Sequence, residues 1–319
     1  MINSRGMADL VRQYVACWTA QRPIYSGIWE DNDFGCENLQ IFRNGYAIER
    51  LGHDELCDLA VLLTKSLRGQ INRDHKILWS WCSFLTSQLR NGVPMFNDAD
   101  WASAFLSLVN LSLAGWKDRP AGPAALAWEQ QARSYVNHHA AATLNDKWLP
   151  AGPAAFAALE GTLRRKNSRY LGTDGSVRID FRVTDSNQRP KTYTAGGRLN
   201  RIDDSLRLFD QIVVNERGRP CTALRHLQNE ISTLFAVATD PYDLIDSWRN
   251  ELVHGQEYWQ NRTPVILNLI CLLVVDEIEP GAYDNSRNGI VRALEWQRST
   301  MTPSYRAPWE IFPPDLDRI

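Results

Sequence analysis

A mainly α-helical chain, helical bundle domains with one small β-hairpin insertion, is predicted by three observations. Apolar residues recur at intervals of three and four along most of the 319 residues; strand-like alternation is confined to a short interval near the middle; and Gly, Pro and Asn punctuate the ends of the periodic stretches. A chain of this length has room for two domains.

The elements follow in order. Leu56, Leu59, Leu63 and Leu67 share one helical side, and Gly69 follows as a stop. A second helix is expected over 74–91, with Ile77, Trp81 and Leu85 on one side and Gly92 behind it. A third starts after the cap candidates Asn97 and Asp98 and carries Trp101, Phe105 and Leu108. Pro123 and Pro153 suit a first helical turn, so two more helices are placed to begin there. The texture then changes. Val177, Ile179, Phe181 and Val183 alternate with Arg178, Asp180 and Arg182, turn-forming Asp185-Ser186-Asn187 follows, and Tyr193 falls on a return strand. Such a hairpin is marginal alone and must lean on a helical domain. Helical spacing resumes with Ile202, Leu206 and Phe209, then Leu224, Leu227 and Ile231, then Leu244, Ile245, Trp248 and Leu252; a last long helix is expected from Thr263-Pro264 to about Glu279. The expected organisation is an amino-terminal helical domain over 1–171, a hairpin or linker over 172–198 and a second helical domain over 199–319.

Composition narrows the class. Hydrophobic residues at 44% and charged residues at 23% are those of a folded globular protein, not of a disordered or fibrous chain. The most apolar run, 265–275, is interrupted by Asn268 and is far shorter than the ~20 residues a membrane span needs. The opening stretch MINSRGMADLVRQY lacks the apolar run of a signal peptide. Six scattered cysteines (17, 36, 57, 82, 221, 271) with no Cys-x-x-Cys pair read as reduced thiols of a cytoplasmic protein; no metal-ligand spacing or cofactor motif is present. The net charge of −2 conceals an uneven distribution: residues 161–225 hold 14 basic and 7 acidic side chains, a surplus of +7. That interval is either a phosphate-tracking surface or the solvated loop of a chain that prefers arginine, with 29 arginines against 6 lysines.

The stretch richest in chemistry is Asp246-Ser247-Trp248-Arg249-Asn250-Glu251-Leu252-Val253-His254-Gly255. At ~100° per residue, Ile245, Trp248 and Leu252 form an apolar stripe, while Asp243, Ser247, Asn250 and His254 line a polar side. Asn250 and His254 are an i, i+4 pair and so neighbours on the helix surface. Arg249 lies about 140° from His254, so a single straight helix does not unite them.

The string Arg249-Asn250-x-Leu252-Val253-His254-Gly255, with helices before it and an apolar helix after it, resembles the signature of the HEPN superfamily of helical ribonucleases and toxins. The likeness spans roughly residues 199–290 and implies a HEPN-like carboxy-terminal helical bundle. Arg133 precedes His138 by the same interval, but lacks the asparagine and the Leu-Val-His-Gly ending. The resemblance implies a homodimer in which two motifs face each other as one composite site that cleaves RNA without metal or cofactor. Arg249, Asn250 and His254 are the catalytic residues it implies. Asp243 and Ser247 on the same polar face, with Arg198 and Arg201 from the arginine-rich interval, are the expected substrate contacts. A toxin or antiviral-defence role, with an antitoxin or regulatory protein as partner, follows by family association alone.

Two plainer readings stand beside this one. A histidine near a helix end often caps or packs, and Arg249 can pair with Asp246 or Asp243 on the surface for only ~0.2–1 kcal/mol. A HEPN-like module that binds a nucleotide or a protein without cleaving is the alternative from another class.

Overall fold

The computed structural model of the chain describes residues 42, 47–66, 71, 73–113, 148–235, 239–253, 259–300 and 307–310. Within them the chain is mainly helical, with one two-stranded antiparallel sheet. The helices are α1 (His53–Ser66), α2 (Arg73–Gln88), α3 (Ala99–Leu113), α4 (Trp148–Lys166), α5 (Ile202–Leu208, continued by a π-helical turn Phe209–Val213 and Val214–Glu216), α6 (Thr222–Phe235), α7 (Pro241–Val253), α8 (Trp259–Glu277) and α9 (Pro280–Thr300). Strands β1 (Phe181–Thr184) and β2 (Pro190–Tyr193) separate α4 from α5.

Helix α8 forms the centre of the packing. From Val265 to Val275 every side chain is buried, and a helix apolar on all sides must be surrounded. It packs on α4, α1 and α2; α6 covers α1, α3 covers α4, and α5 lies on α7. Each fully buried Leu, Ile or Val of α8 contributes roughly 1.5–3 kcal/mol relative to exposure. The polar interruption, Asn268, is satisfied within the core: it accepts from Trp79 Nε1 at 2.7 Å and donates to Thr64 Oγ1 at 3.1 Å. One buried cluster therefore runs from Ile48 to Trp309, and α8 draws its neighbours from both halves of the chain, with α6 beside α1, α2 and α4. No described helix is long and apolar enough to cross a membrane.

The carboxy-terminal end of α8 is closed by charge. Arg217 and Arg219 donate to the Asp276 carbonyl at 3.1 and 2.5 Å, satisfying a helix-end acceptor. The Asp276 carboxylate meets Lys166 Nζ at 2.7 Å and Arg217 Nη1 at 2.9 Å. Burial opposes its charge, but Lys166 and the two arginines prevail and hold its carboxyl down at about 2.

Several boundaries differ from those expected. Helix α4 begins at Trp148, so Pro153 lies inside it; the carbonyl that Pro153 leaves unpaired is that of Leu149, which is 60% exposed. Likewise α8 begins at Trp259 and contains Pro264. The helix expected at Pro123 and the Leu67–Gly69 stop fall outside the described residues. Asp98 does cap α3, accepting from the Trp101 N–H at 2.9 Å. Helix α9 was not anticipated by periodicity: of its 21 residues only Tyr283 and Leu294 are buried, too few to trace an apolar stripe.

The hairpin forms as expected, in a shorter ladder that pairs Phe181 with Tyr193 and Thr184 with Pro190. Ile179 lies before it and is 45% exposed. Asp185 Oδ1 accepts the N–H groups of Asn187 and Arg189, making the turn, and Gln188 takes the left-handed backbone (φ 61°) needed to close it. Phe181 and Val183 point inward, and Phe181 stacks on Tyr193 at 5.0 Å.

Candidate functional site

Helix α7 is anchored by its apolar stripe. Tyr242, Ile245 and Trp248 are buried, Leu252 is partly buried, and Trp248 meets the Phe235 ring edge-on at 4.6 Å. At its start, Asp240 Oδ1 accepts the N–H groups of Tyr242 and Asp243, a cap that fixes where the helix begins.

The first two turns of α7 belong to a dense ion network. The almost fully buried Arg207 of α5 donates to Asp203 at 2.8 Å, Asp240 at 2.7 Å and Asp243 at 2.9 Å. Asp203 and Asp204 are both fully buried. Asp204 is met by Lys191 Nζ at 3.0 Å and by the Tyr193 hydroxyl of β2, so the hairpin supplies counter-charge to α5. Asp243 also accepts from Ser186 Oγ, in the hairpin turn, at 2.5 Å. Burial works against the Asp243 charge, but Ser186 and Arg207 outweigh it and hold the carboxyl below its usual range. Asp246 shifts the other way. Burial, then the nearby Asp203 charge, push it up, although its carboxylate accepts the Ile202 N–H at 3.2 Å and faces Arg201 Nη2 at 3.3 Å.

The carboxy-terminal turn of α7 is differently placed. Arg249 Nε lies 2.6 Å from Glu160 Oε1 of α4, and Glu160 Oε2 lies 3.3 Å from Arg164. Glu160, Arg164 and Arg201 line one small cleft with Asn200 and Ser205. Arg249 and Arg201 both act on Asp246, so three guanidinium groups gather around two carboxylates beside that cleft. Among the described residues Arg249 has no other hydrogen-bond or ion-pair partner, which leaves both terminal nitrogens open. Asn250, one position on, is exposed.

The expected site residues thus separate. Arg201 faces Asp246 at 3.3 Å, and Arg249 pairs with Glu160, which lines the same small cleft as Arg201. Asp243, Ser247 and Asn250 share one face, where Asp243 is committed to Arg207 and Ser186, Ser247 Oγ donates to the Leu244 carbonyl at 2.9 Å, and Asn250 faces solvent. Arg198 lies at the hairpin base, 3.8 Å from Asp174, with no hydrogen bond or ion pair to α7. His254 lies outside the described residues, as do His138 and His139.

Glu160, Arg164 and Arg207 were not anticipated as neighbours of the motif. The i, i+4 spacing of Glu160 and Arg164 is visible in sequence, but its approach to α7 is a tertiary contact. Among the described residues no group of three or more His, Cys, Asp or Glu side chains is disposed to hold a metal ion. The described cysteines are free thiols, and burial pushes Cys221 up to about 12. No family model, curated protein or solved structure matches this chain.

Proposed function

We propose that this protein is a metal-independent endoribonuclease of the HEPN type, acting as a homodimer through Arg249, Asn250 and His254. The observation that supports the reading best is the Arg249 guanidinium. Glu160 holds it at Nε, and among the described residues nothing else pairs with its two terminal nitrogens, at a partly exposed helix end beside the solvent-facing Asn250. A fork presented in this way suits two oxygens of a scissile phosphate and the charge that builds there in the transition state.

The chemistry follows from residue type. His254, of a kind that exchanges a proton near neutrality, takes the proton of a ribose 2′-hydroxyl. The 2′-oxygen bonds to phosphorus, the bond to the 5′-oxygen breaks, and a second histidine, from the other copy of the chain, protonates the leaving oxygen. The products are a 2′,3′-cyclic phosphate and a 5′-hydroxyl. A setting as a toxin or defence effector, in the cytoplasm, with an antitoxin or regulatory partner, belongs to the same proposal by family association.

The Glu160 contact also favours a second reading, in which the Arg249 cluster exchanges its carboxylate for the phosphate of a bound nucleotide without cleaving it. A cleavage assay in EDTA separates the two. The enzyme reading expects fragments ending in 2′,3′-cyclic phosphate and a loss of about 10²–10³-fold in rate in Arg249→Ala and in His254→Ala. Nucleotide binding without cleavage favours the module, and strict dependence on magnesium sinks the enzyme proposed here.

A further inference from the structure

The arginine-rich interval looks uniform in sequence, and the fold divides it. Of the 14 basic side chains between 161 and 225, most meet carboxylates, many of them from outside the interval. Arg164 meets Glu160, Arg165 meets Asp98, Lys166 meets Asp276 and Glu277, and Arg219 meets Glu279. Arg207 takes Asp240 and Asp243 as well as Asp203. The surplus of +7 is therefore largely consumed by tertiary structure. Among the described residues Arg178, Arg182, Arg189 and Arg225 have no carboxylate partner, and the first three belong to the hairpin region.

Their placement is directional. Arg182 lies on the exposed face of β1 opposite Thr192, Arg178 is exposed four residues earlier in the irregular segment that leads into β1, and Arg189 ends the hairpin turn. Among the described residues the only side-chain bond of the three is from Arg178 Nη1 to the Ser168 carbonyl. The acidic residues of the hairpin region are occupied by backbone: Asp174 by the Ser176 N–H, Asp180 by the Ala195 N–H, and Asp185 by those of Asn187 and Arg189. The turn itself is pinned to α7 by the bond from Ser186 to Asp243. Asp243 and Asn250 are two turns apart on one face, about 10 Å along the axis. Arg189, in the turn that Ser186 pins to Asp243, thus stands nearest the start of α7, with Arg182 and Arg178 further back along the hairpin, and the end of α7 carries Arg249 and Asn250.

We infer that the hairpin is an RNA-backbone contact surface, in which Arg178, Arg182 and Arg189 hold successive phosphates of a single strand and lead it along α7 toward Arg249. The choice of RNA rests on the ribonuclease reading of α7, whereas polyanion binding by the hairpin is separable from cleavage.

The test uses the full chain and a fluorescein-labelled single-stranded RNA with 2′-O-methyl sugars, which cannot be cut by 2′-hydroxyl attack. Anisotropy is measured between about 50 and 200 mM salt for the wild type and for Arg178→Gln/Arg182→Gln/Arg189→Gln. With ~0.7 counterions released per phosphate contact, the triple variant loses about 2 from the salt slope, so a fourfold rise in salt weakens the wild type roughly 16-fold more than the variant. The double variant Arg182→Gln/Arg189→Gln loses roughly two-thirds as much slope and provides a second reading should the triple variant melt differently. An unchanged slope, or no salt-dependent binding by the wild type, overturns the inference. Failure of the ribonuclease reading is seen elsewhere, as unmodified RNA left intact by the wild type, and leaves the salt slope to stand or fall alone.

Discussion

The two ends of α7 carry polar residues of similar kind on the same helix, yet they have different surroundings. At the beginning, Asp240, Asp243 and Asp246 are tied to Arg207, Ser186, Arg201 and the Ile202 N–H, and of the two counter-charges Arg207 is buried and Arg201 exposed. At the end, Arg249 pairs with Glu160 alone among the described residues and Asn250 faces water. The difference teaches that a polar helix face at the right spacing is not by itself a site. What separates structure from availability is how many of a group's hydrogen-bonding positions the fold has already filled, and how far water is excluded while they are filled.

The sharpest way to break this comparison is at the buried end. Arg207→Ala takes from the buried Asp203, and from Asp240 and Asp243, the guanidinium they share, and is expected to cost about 3–5 kcal/mol in urea unfolding. A cost comparable to that of a surface pair would mean the network is better hydrated than its burial indicates. Arg207→Lys, which keeps the charge and loses the fork, should fall between the two.

A middle-sized effect distinguishes two carboxylates one helical turn apart. Asp243 is held low, so its contribution is present above the unfolded pKa of ~3.9 and is lost as the pH falls. Asp246 is held high, so its contribution is present below that value and is lost as the pH rises through its folded pKa. Asp243→Asn should therefore cost about 1–2 kcal/mol near pH 7 and less on acidification. Asp246→Asn, which keeps an acceptor for the Ile202 N–H, should cost under ~1 kcal/mol near pH 7 and relatively more on acidification. Unfolding curves at the two pH values check both signs, and equal costs at both would remove the distinction.

The smallest expected effect lies at the open end. Glu160 and Arg249 are both partly exposed, so Glu160→Gln should change stability by less than ~1 kcal/mol in thermal melting. A larger loss would move this contact into the same class as the Arg207 network.

Much of this architecture was legible in residue spacing. The stripes of α3, α6 and α7 are periodic because one side of each faces the core, α1 and α2 keep only a narrow exposed side, and the hairpin alternates because only one of its faces is inward. Helix α9 was not legible, since a mostly solvent-facing helix leaves no stripe. Pro153 and Pro264 were read as helix starts, because proline favours the first turn, yet in both helices it lies one turn further in. For the candidate site, the Arg249-Asn250 pair and its helix were visible. Glu160 was not, since no local pattern reports that α4 will cross α7 at that residue.

The sequence by itself determined most of the elements: which apolar-striped stretches form helices, where the single hairpin lies, and which helix carries Arg249 and Asn250, because these follow from local backbone preference and the periodic hiding of apolar side chains. Only the tertiary structure decided which charges are spent. Fourteen basic residues in one interval are equivalent on paper; packing placed carboxylates from distant helices against most of them and left the hairpin arginines and the Arg249 fork facing outward. Electrostatic pairing depends on distance and on exclusion of water, and neither is a property of sequence order.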